Sequence, residues 1–478
     1  MNLARSSLKL FAANITGSVL QFVGIVYFAR VLGPSPMGTF FLFQAMLGLF
    51  AIPADFGIRG AVEKRISEGD SQGKFLSSAL ALKLIPISAV VLGIVLLQSW
   101  INSYLGAEIA ILLAIALILQ EAAQLAIVVL KGELRVGETA VLQVARQATW
   151  LGVGGIFVSQ GFEALALIYG LLSGIFLVII WGWFKVSVIP NKPSREHARS
   201  LYDYGKYNVV SSIGGYFYNW MDVAIIGLFL TQAHVGAYEV AWRVTTIVIL
   251  LSRSIATAVF PQFSEWSGEG AKDRIEDLIP QVLTPSLILV IPAFFGTLLF
   301  SKEILGLVFG TEYTMAWLAL IILMFDQVTE APQVVFGRSL QAIDRPDLAA
   351  RATIVGVMLN LILNIVLVWE FGITGAAIAT MIASFISGLF LHWIYLSRRL
   401  SVQIPYSELF ACVLAAVSMT LLLVPVRWLI SVNSLVELLF VICLGAIIYT
   451  VSIPLFPSLR STILSQCQRI LRGQTNES

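Results

Sequence analysis

The chain is poor in charge, cysteine and histidine. Only 12% of its 478 residues are Asp, Glu, Lys or Arg, about half the usual share of a soluble domain. That leaves too little solvating surface for a water-soluble enzyme or a disordered protein. The three cysteines, Cys412, Cys443 and Cys467, lack CxxC spacing, so neither a zinc site nor a redox pair is suggested and a disulfide scaffold is excluded. His197, His234 and His392 are scattered; no metal site and no cofactor are expected. A GxxxxGK[ST] phosphate loop is missing, which excludes ATP hydrolysis by that route. A net charge of +2 gives no field for nucleic acid, and none is expected as a partner. The segments between apolar runs are short, so the acidic or metal-binding outer loop of a polytopic glycosyltransferase is absent too, and no catalytic residues are expected.

What remains is hydrocarbon: 58% of the residues are hydrophobic and the mean hydropathy is +0.88. A membrane-spanning helix takes about 20 residues. The pattern predicts an all-α polytopic membrane protein with about 14 transmembrane helices. The first six spans fall at about 9–29, 37–58, 76–97, 107–130, 138–158 and 162–184. The next six fall at about 207–230, 236–260, 280–300, 315–337, 351–370 and 373–396, and the last two at about 405–425 and 435–456. The expected organisation is a six-helix bundle over 1–184, a polar connector over 185–206 and a second bundle over 207–400. Helices 13 and 14 follow over 401–458, then a tail over 459–478. Strands of a β-barrel would be about ten residues long and alternating, which this sequence is not. The run from Leu10 to Ala29 is too long for a signal-peptide core and ends at Arg30 without a small-residue cleavage site; it reads as helix 1.

Lys and Arg are distributed unevenly between alternate loops, with 23 on the side of the termini and only Arg30, Lys302 and Arg427 on the other. This bias predicts cytoplasmic termini and a cell-membrane location. Four basic residues, Lys83, Arg146, Arg243 and Arg253, lie inside the spans. A weak internal repeat is also visible. Leu32–Phe40 resembles Leu230–Tyr238, with a glycine and an aromatic in the same register, and Gly161–Ala166 resembles Gly372–Ala377. Two halves with even numbers of helices predict a parallel repeat, as in transporters that bind substrate between lobes.

The order of several motifs carries a family resemblance. Arg30-Val31-Leu32-Gly33-Pro34 leads to Gly38-Thr39-Phe40, then Ala54-Asp55-Phe56-Gly57-Ile58 and Arg65-Ile66-Ser67-Glu68-Gly69. Lys131-Gly132-Glu133-Leu134-Arg135 and Phe371-Gly372-Ile373-Thr374-Gly375-Ala376-Ala377 follow in turn. Together they resemble the polysaccharide-transporter flippases, including O-antigen flippases, of the multidrug/oligosaccharidyl-lipid/polysaccharide exporter superfamily. The resemblance implies two bundles around a central cavity, alternating access, and a polyprenyl-diphosphate-linked oligosaccharide as substrate. Membrane lipids are its surroundings; a coupling proton or sodium ion and other glycan-assembly proteins stay open as partners. Lipid-linked peptidoglycan-precursor flippases share the helix number, and drug exporters of the superfamily are a further alternative.

Such a substrate requires polar faces inside the helices, where charges normally face a cavity or a partner. Helical spacing aligns Asn14, Ser18 and Gln21 on helix 1 and Thr139, Gln143, Arg146, Gln147 and Trp150 on helix 5. Tyr218 and Asp222 share helix 7, Glu239 and Arg243 helix 8, and Asp326, Glu330 and Gln333 helix 10. Arg146 is the first candidate for a phosphate contact because a guanidinium fork matches a diphosphate; the alternative is an ion pair with Glu121. Arg243 has a local partner in Glu239, Arg253 either binds or snorkels, and Lys83 is expected to snorkel to the headgroups. Gln143, Asn14, Gln21 and Tyr218 complete the candidate binding set. Asp222, Asp326, Glu330, Glu121, Glu239 and Asp55 are candidates for ion coupling or gating. Asp326 and Glu330, four residues apart, either share one proton or pair with an arginine. Trp150 and Tyr216 are among the aromatics considered for stacking on sugar rings.

Overall fold

Inside a bilayer no water satisfies backbone amides and carbonyls, so long apolar runs must close their hydrogen bonds internally. The computed structural model describes residues 3–460, without the side chains of residues 3–12, 14, 207, 210–213 and 218. Among the described residues every regular element is a helix. The chain separates into two compact units, Met1–Glu239 and Val240–Ser478.

The first unit contains α1 (Leu3–Leu32), α2 (Pro34–Asp55), α3 (Ile58–Ser67), α4 (Gln72–Leu96), α5 (Gln98–Leu105), α6 (Ala110–Gly132), α7 (Val136–Ser159), α8 (Ala164–Lys185) and α9 (Arg195–Phe229). Helix α10 (Gln232–Val248) runs across the division. The second unit continues with α11 (Leu250–Gly268), α12 (Lys272–Leu287), α13 (Val290–Val308), α14 (Trp317–Ala342) and α15 (Pro346–Ala383). A π-helical segment, Ser384–Leu391, then leads into α16 (His392–Ser397), α17 (Tyr406–Leu429) and α18 (Leu435–Ser452).

Among the described residues ten stretches are long and apolar enough to cross a membrane, or eleven with the bent pair α10–α11 counted as one span. The chain is a multi-pass membrane protein. Helices α7 and α9 lie outside that count but coincide with expected spans, and Pro346–Ser397 covers two expected spans divided at Gly372. Fourteen spans are consistent with this arrangement. Residues 195–206 of the polar connector are helical and open the 35-residue α9.

The boundaries follow local chemistry. Gly33 takes φ 76° and is followed by Pro34 in the first turn of α2, where a missing amide costs nothing. Phe56 and Gly57, at φ 50° and 72°, break the path between α2 and α3. The repeat is visible in the backbone. Leu134 and Asp344 both have positive φ, 61° and 57°. The amide of the following arginine then reaches back to a leucine carbonyl, Arg135 to Leu130 and Arg345 to Leu340, each at 2.9 Å. Gly161 and Gly372, paired by sequence, also both have positive φ.

Close packing uses small residues, as expected where lipid is as apolar as leucine. A Cβ on Gly170 would lie 2.6 Å from the Trp150 carbonyl oxygen, which lets α8 press against α7. Gly38 and Gly236, equivalent in the repeat, meet backbone to backbone: Gly38 lies against Gln232 and Gly236 against Pro34. Gly236→Ala is therefore expected to cost about 1–3 kcal/mol of stability, seen as a lower Tm of the purified protein in detergent. An unchanged Tm would show that this contact is loose. In the second unit, α17 and α18 pack on α13 through a core that includes Cys412, Met419, Leu438, Val441 and Tyr449.

Candidate functional site

The first unit holds a buried set of four charges at the break between α2 and α3. Asp55 ends α2, and its carboxylate accepts the Arg59 amide at 3.2 Å. It thereby satisfies one of the amides that α3 leaves open and places negative charge at that helix's positive end. Lys83 lies eleven residues into α4, about 16 Å along its axis. Its ammonium bridges Asp55 Oδ1 and Glu121 Oε2, each at 2.7 Å. Arg59 Nη2 donates to Glu121 Oε1, and Arg59 Nε stands 3.4 Å from Asp55. Two acids and two bases make the set neutral, the condition under which ions tolerate burial. Its members are not equally buried: the Arg59 side chain is 27% exposed, against 1% for Glu121 and 4% for Lys83.

Two expectations are corrected here. Lys83 does not snorkel; it is buried between two carboxylates. Glu121 is the partner of Arg59 and Lys83 rather than of Arg146. Arg59, which falls between the expected second and third spans, belongs to the buried set, and no motif in the sequence marked it.

Arg146, ten residues into α7, is half-buried and makes no ion pair among the described residues. Gly174 of α8 lies against its side-chain stem. One helical turn away Gln143 is exposed, and Gln21 on α1 is half-buried. The side chains of Asn14 and Tyr218 lie outside the described residues. Asp222 accepts the Tyr238 hydroxyl at 2.5 Å, and Glu239 is buried. Trp150 is committed to the core, stacked on Phe40 with the ring of Phe28 edge-on. Tyr216 donates its hydroxyl to the Ala45 carbonyl. Trp150 is thereby closed to a sugar face.

In the second unit, Arg253 Nη2 donates to Glu330 Oε1 at 2.6 Å. This is the arginine-paired alternative to a proton shared with Asp326. The Arg253 side chain is 45% exposed and that of Glu330 only 8%. Asp326 is buried beside Gln327 and Thr329, and the Thr329 hydroxyl reaches Ser384 at 3.3 Å where the π segment begins. Arg243 sits over the ring of Trp242, 5.3 Å from its centroid. An apolar cavity of about 340 Å³ is lined by Leu283, Pro332, Phe336, Phe390, Trp393 and Leu409, among others.

The segment 186–194 is fastened to the rest of its unit. Glu133 accepts the Ser187 and Val188 amides at 2.7 and 2.9 Å, and Arg135 donates to the Lys185 carbonyl and Ser187 hydroxyl. Further along, the Asn191 amide donates to the Gly73 carbonyl and the Ser194 amide to the Ser78 hydroxyl, both at 3.1 Å. No group of metal-ligating side chains occurs among the described residues.

A family model described as polysaccharide biosynthesis protein matches residues 27–321. The probable low-salt glycan biosynthesis flippase Agl15 of Haloferax volcanii is 55% identical over 471 residues, 98% of this chain and 100% of its own length. The probable flippase AglR of the same organism is 28% identical over 386 residues, 80% of this chain and 81% of its own. Among solved structures, lipid II flippase MurJ in an inward closed conformation superposes with a TM-score of 0.80 at 17% identity, over 94% of this chain and 98% of that one. A multidrug resistance MATE family transporter, inward-facing, gives 0.65 at 18% identity over 80% and 95%. Both share the fold.

Proposed function

Because the chain belongs to the polysaccharide biosynthesis protein family, we propose that it is a flippase. It carries a polyprenyl-diphosphate-linked oligosaccharide from the cytoplasmic to the outer leaflet, with both termini cytoplasmic, and breaks no covalent bond. The observation that carries this reading is Arg146. A guanidinium about 15 Å along a helix with no carboxylate partner among the described residues is costly in a membrane unless an anion arrives to meet it. The diphosphate supplies that anion, and the polar Gln143, one turn away on the same helix, suits hydroxyl-rich glycan. The apolar cavity of the second unit is chemically suited to an isoprenoid chain. Buried Asp326 and half-buried Asp222 are the groups where a coupling ion would act.

The test is transport by the purified protein in liposomes. A short polyprenyl-diphosphate oligosaccharide, labelled on its glycan and placed in both leaflets, is expected to cross fast enough for an added lectin to capture nearly all of it. Vesicles without protein should yield about half. Capture limited to half across a panel of such lipids, with efflux of drug cations instead, would replace the proposal with a drug exporter.

A further inference from the structure

Each unit contains an arginine near the start of a helix, held from behind by a buried glutamate, and the helices involved correspond in the repeat. Arg59 is the second residue of α3, just beyond the break that follows α2; Arg253 is the fourth residue of α11, just beyond the bend of 46° that follows α10. The glutamates lie near the middle of α6 and α14, 209 residues apart. The matching turns that end those two helices, at Leu134 and Asp344, are 210 apart. Glu121 and Glu330 thus fall within one residue of equivalence. In both pairs Nη2 donates to Oε1. In both, the glutamate is buried (1% and 8%) while the arginine stays open (27% and 45%).

We infer that Arg59 and Arg253 are phosphate contacts, each acting within its own unit, which the glutamates aim and neutralise until a phosphate group takes over part of the guanidinium. The inference rests on the flippase reading for the lipid that bears the diphosphate. The asymmetry in burial presents the cation and hides the anion. Arginine's planar fork can hold carboxylate on one edge and phosphate on another. A doubly charged diphosphate outcompetes a singly charged carboxylate at a partly solvated guanidinium. In the first unit the released Glu121 keeps Lys83, so no carboxylate is stranded.

The partners of each pair should therefore have opposite effects on binding. With full-length protein in nanodiscs and geranylgeranyl diphosphate as probe, Arg59→Gln and Arg253→Gln are each expected to weaken binding about tenfold or more, since a charge-assisted contact is lost. Glu121→Gln and Glu330→Gln remove the competitor and are expected to tighten it. Arg59→Lys keeps the charge but not the fork, and is expected to retain its Tm while losing affinity. Shifts of the same sign in both partners, or no shift in any variant at unchanged Tm, would overturn the inference. Inorganic pyrophosphate runs in parallel. Weaker binding of it supports a lipid headgroup as the source, and equal binding of both probes overturns the headgroup in favour of free diphosphate. Opposite shifts in a protein that moves no glycolipid would keep the phosphate contacts and remove the flippase reading. Transport without opposite shifts would do the reverse.

Discussion

Lys83→Met is expected to destabilise the first unit by about 3–5 kcal/mol, the cost of breaking a buried ion pair by removing one partner. The Lys83 ammonium is the bridge between Asp55 and Glu121; without it, two carboxylates share Arg59 and the set carries an excess negative charge away from water. Methionine fills most of the vacated volume, so the loss is electrostatic rather than a cavity. The double variant Lys83→Met with Glu121→Gln restores neutrality and is expected to recover most of the lost Tm. Thermal unfolding of the three proteins in detergent measures this directly. If the single variant melts like wild type, or the second change lowers Tm further, the four charges do not act as one neutral set.

Arg146→Ala is expected to show the opposite profile, transport lost and stability kept. No ion pair is broken by its removal, so Tm should hold or rise. The contact it supplies to a desolvated diphosphate is of the kind whose loss costs about 2–5 kcal/mol, or roughly 30-fold and more in the transport rate at subsaturating lipid. Arg146→Lys, which keeps charge without the fork, should fall between. The liposome assay with glycolipid reads the rate. A drop in Tm parallel to the drop in rate would make Arg146 a packing residue.

Hydropathy made the helices and their order readable because an apolar run of twenty residues has few alternatives to a spanning helix. The turns were readable where glycine or proline marked them, as at Gly33-Pro34 and Gly372. The Leu134 turn was not, because leucine rarely takes a positive φ, and its counterpart at Asp344 carries only the modest preference of aspartate for that region. Site chemistry was harder to read. Asp55, Lys83 and Glu121 were each visible as polar residues in apolar surroundings. Their meeting depends on packing among α2, α4 and α6, across 28 and more positions of chain, which no local pattern encodes. Arg59 was misplaced for a related reason. It follows a glycine and precedes Lys64 and Arg65, so by composition it belongs to a loop. In three dimensions the helix restarts at Ile58 and carries Arg59 against Glu121. Arg146 needed no such packing information, since its place in an apolar helix was evident from the sequence.

The fastening of residues 186–194 bears on how the chain is made. Gly73, Ser78, Glu133 and Arg135, which hold that segment, all precede it in sequence. Each will already have left the ribosome when the segment emerges, so the strap can close during synthesis while the second half is still untranslated. The first half then reaches the insertion machinery's exit with its trailing end tied down, and α9 starts from a fixed point instead of a loose thread.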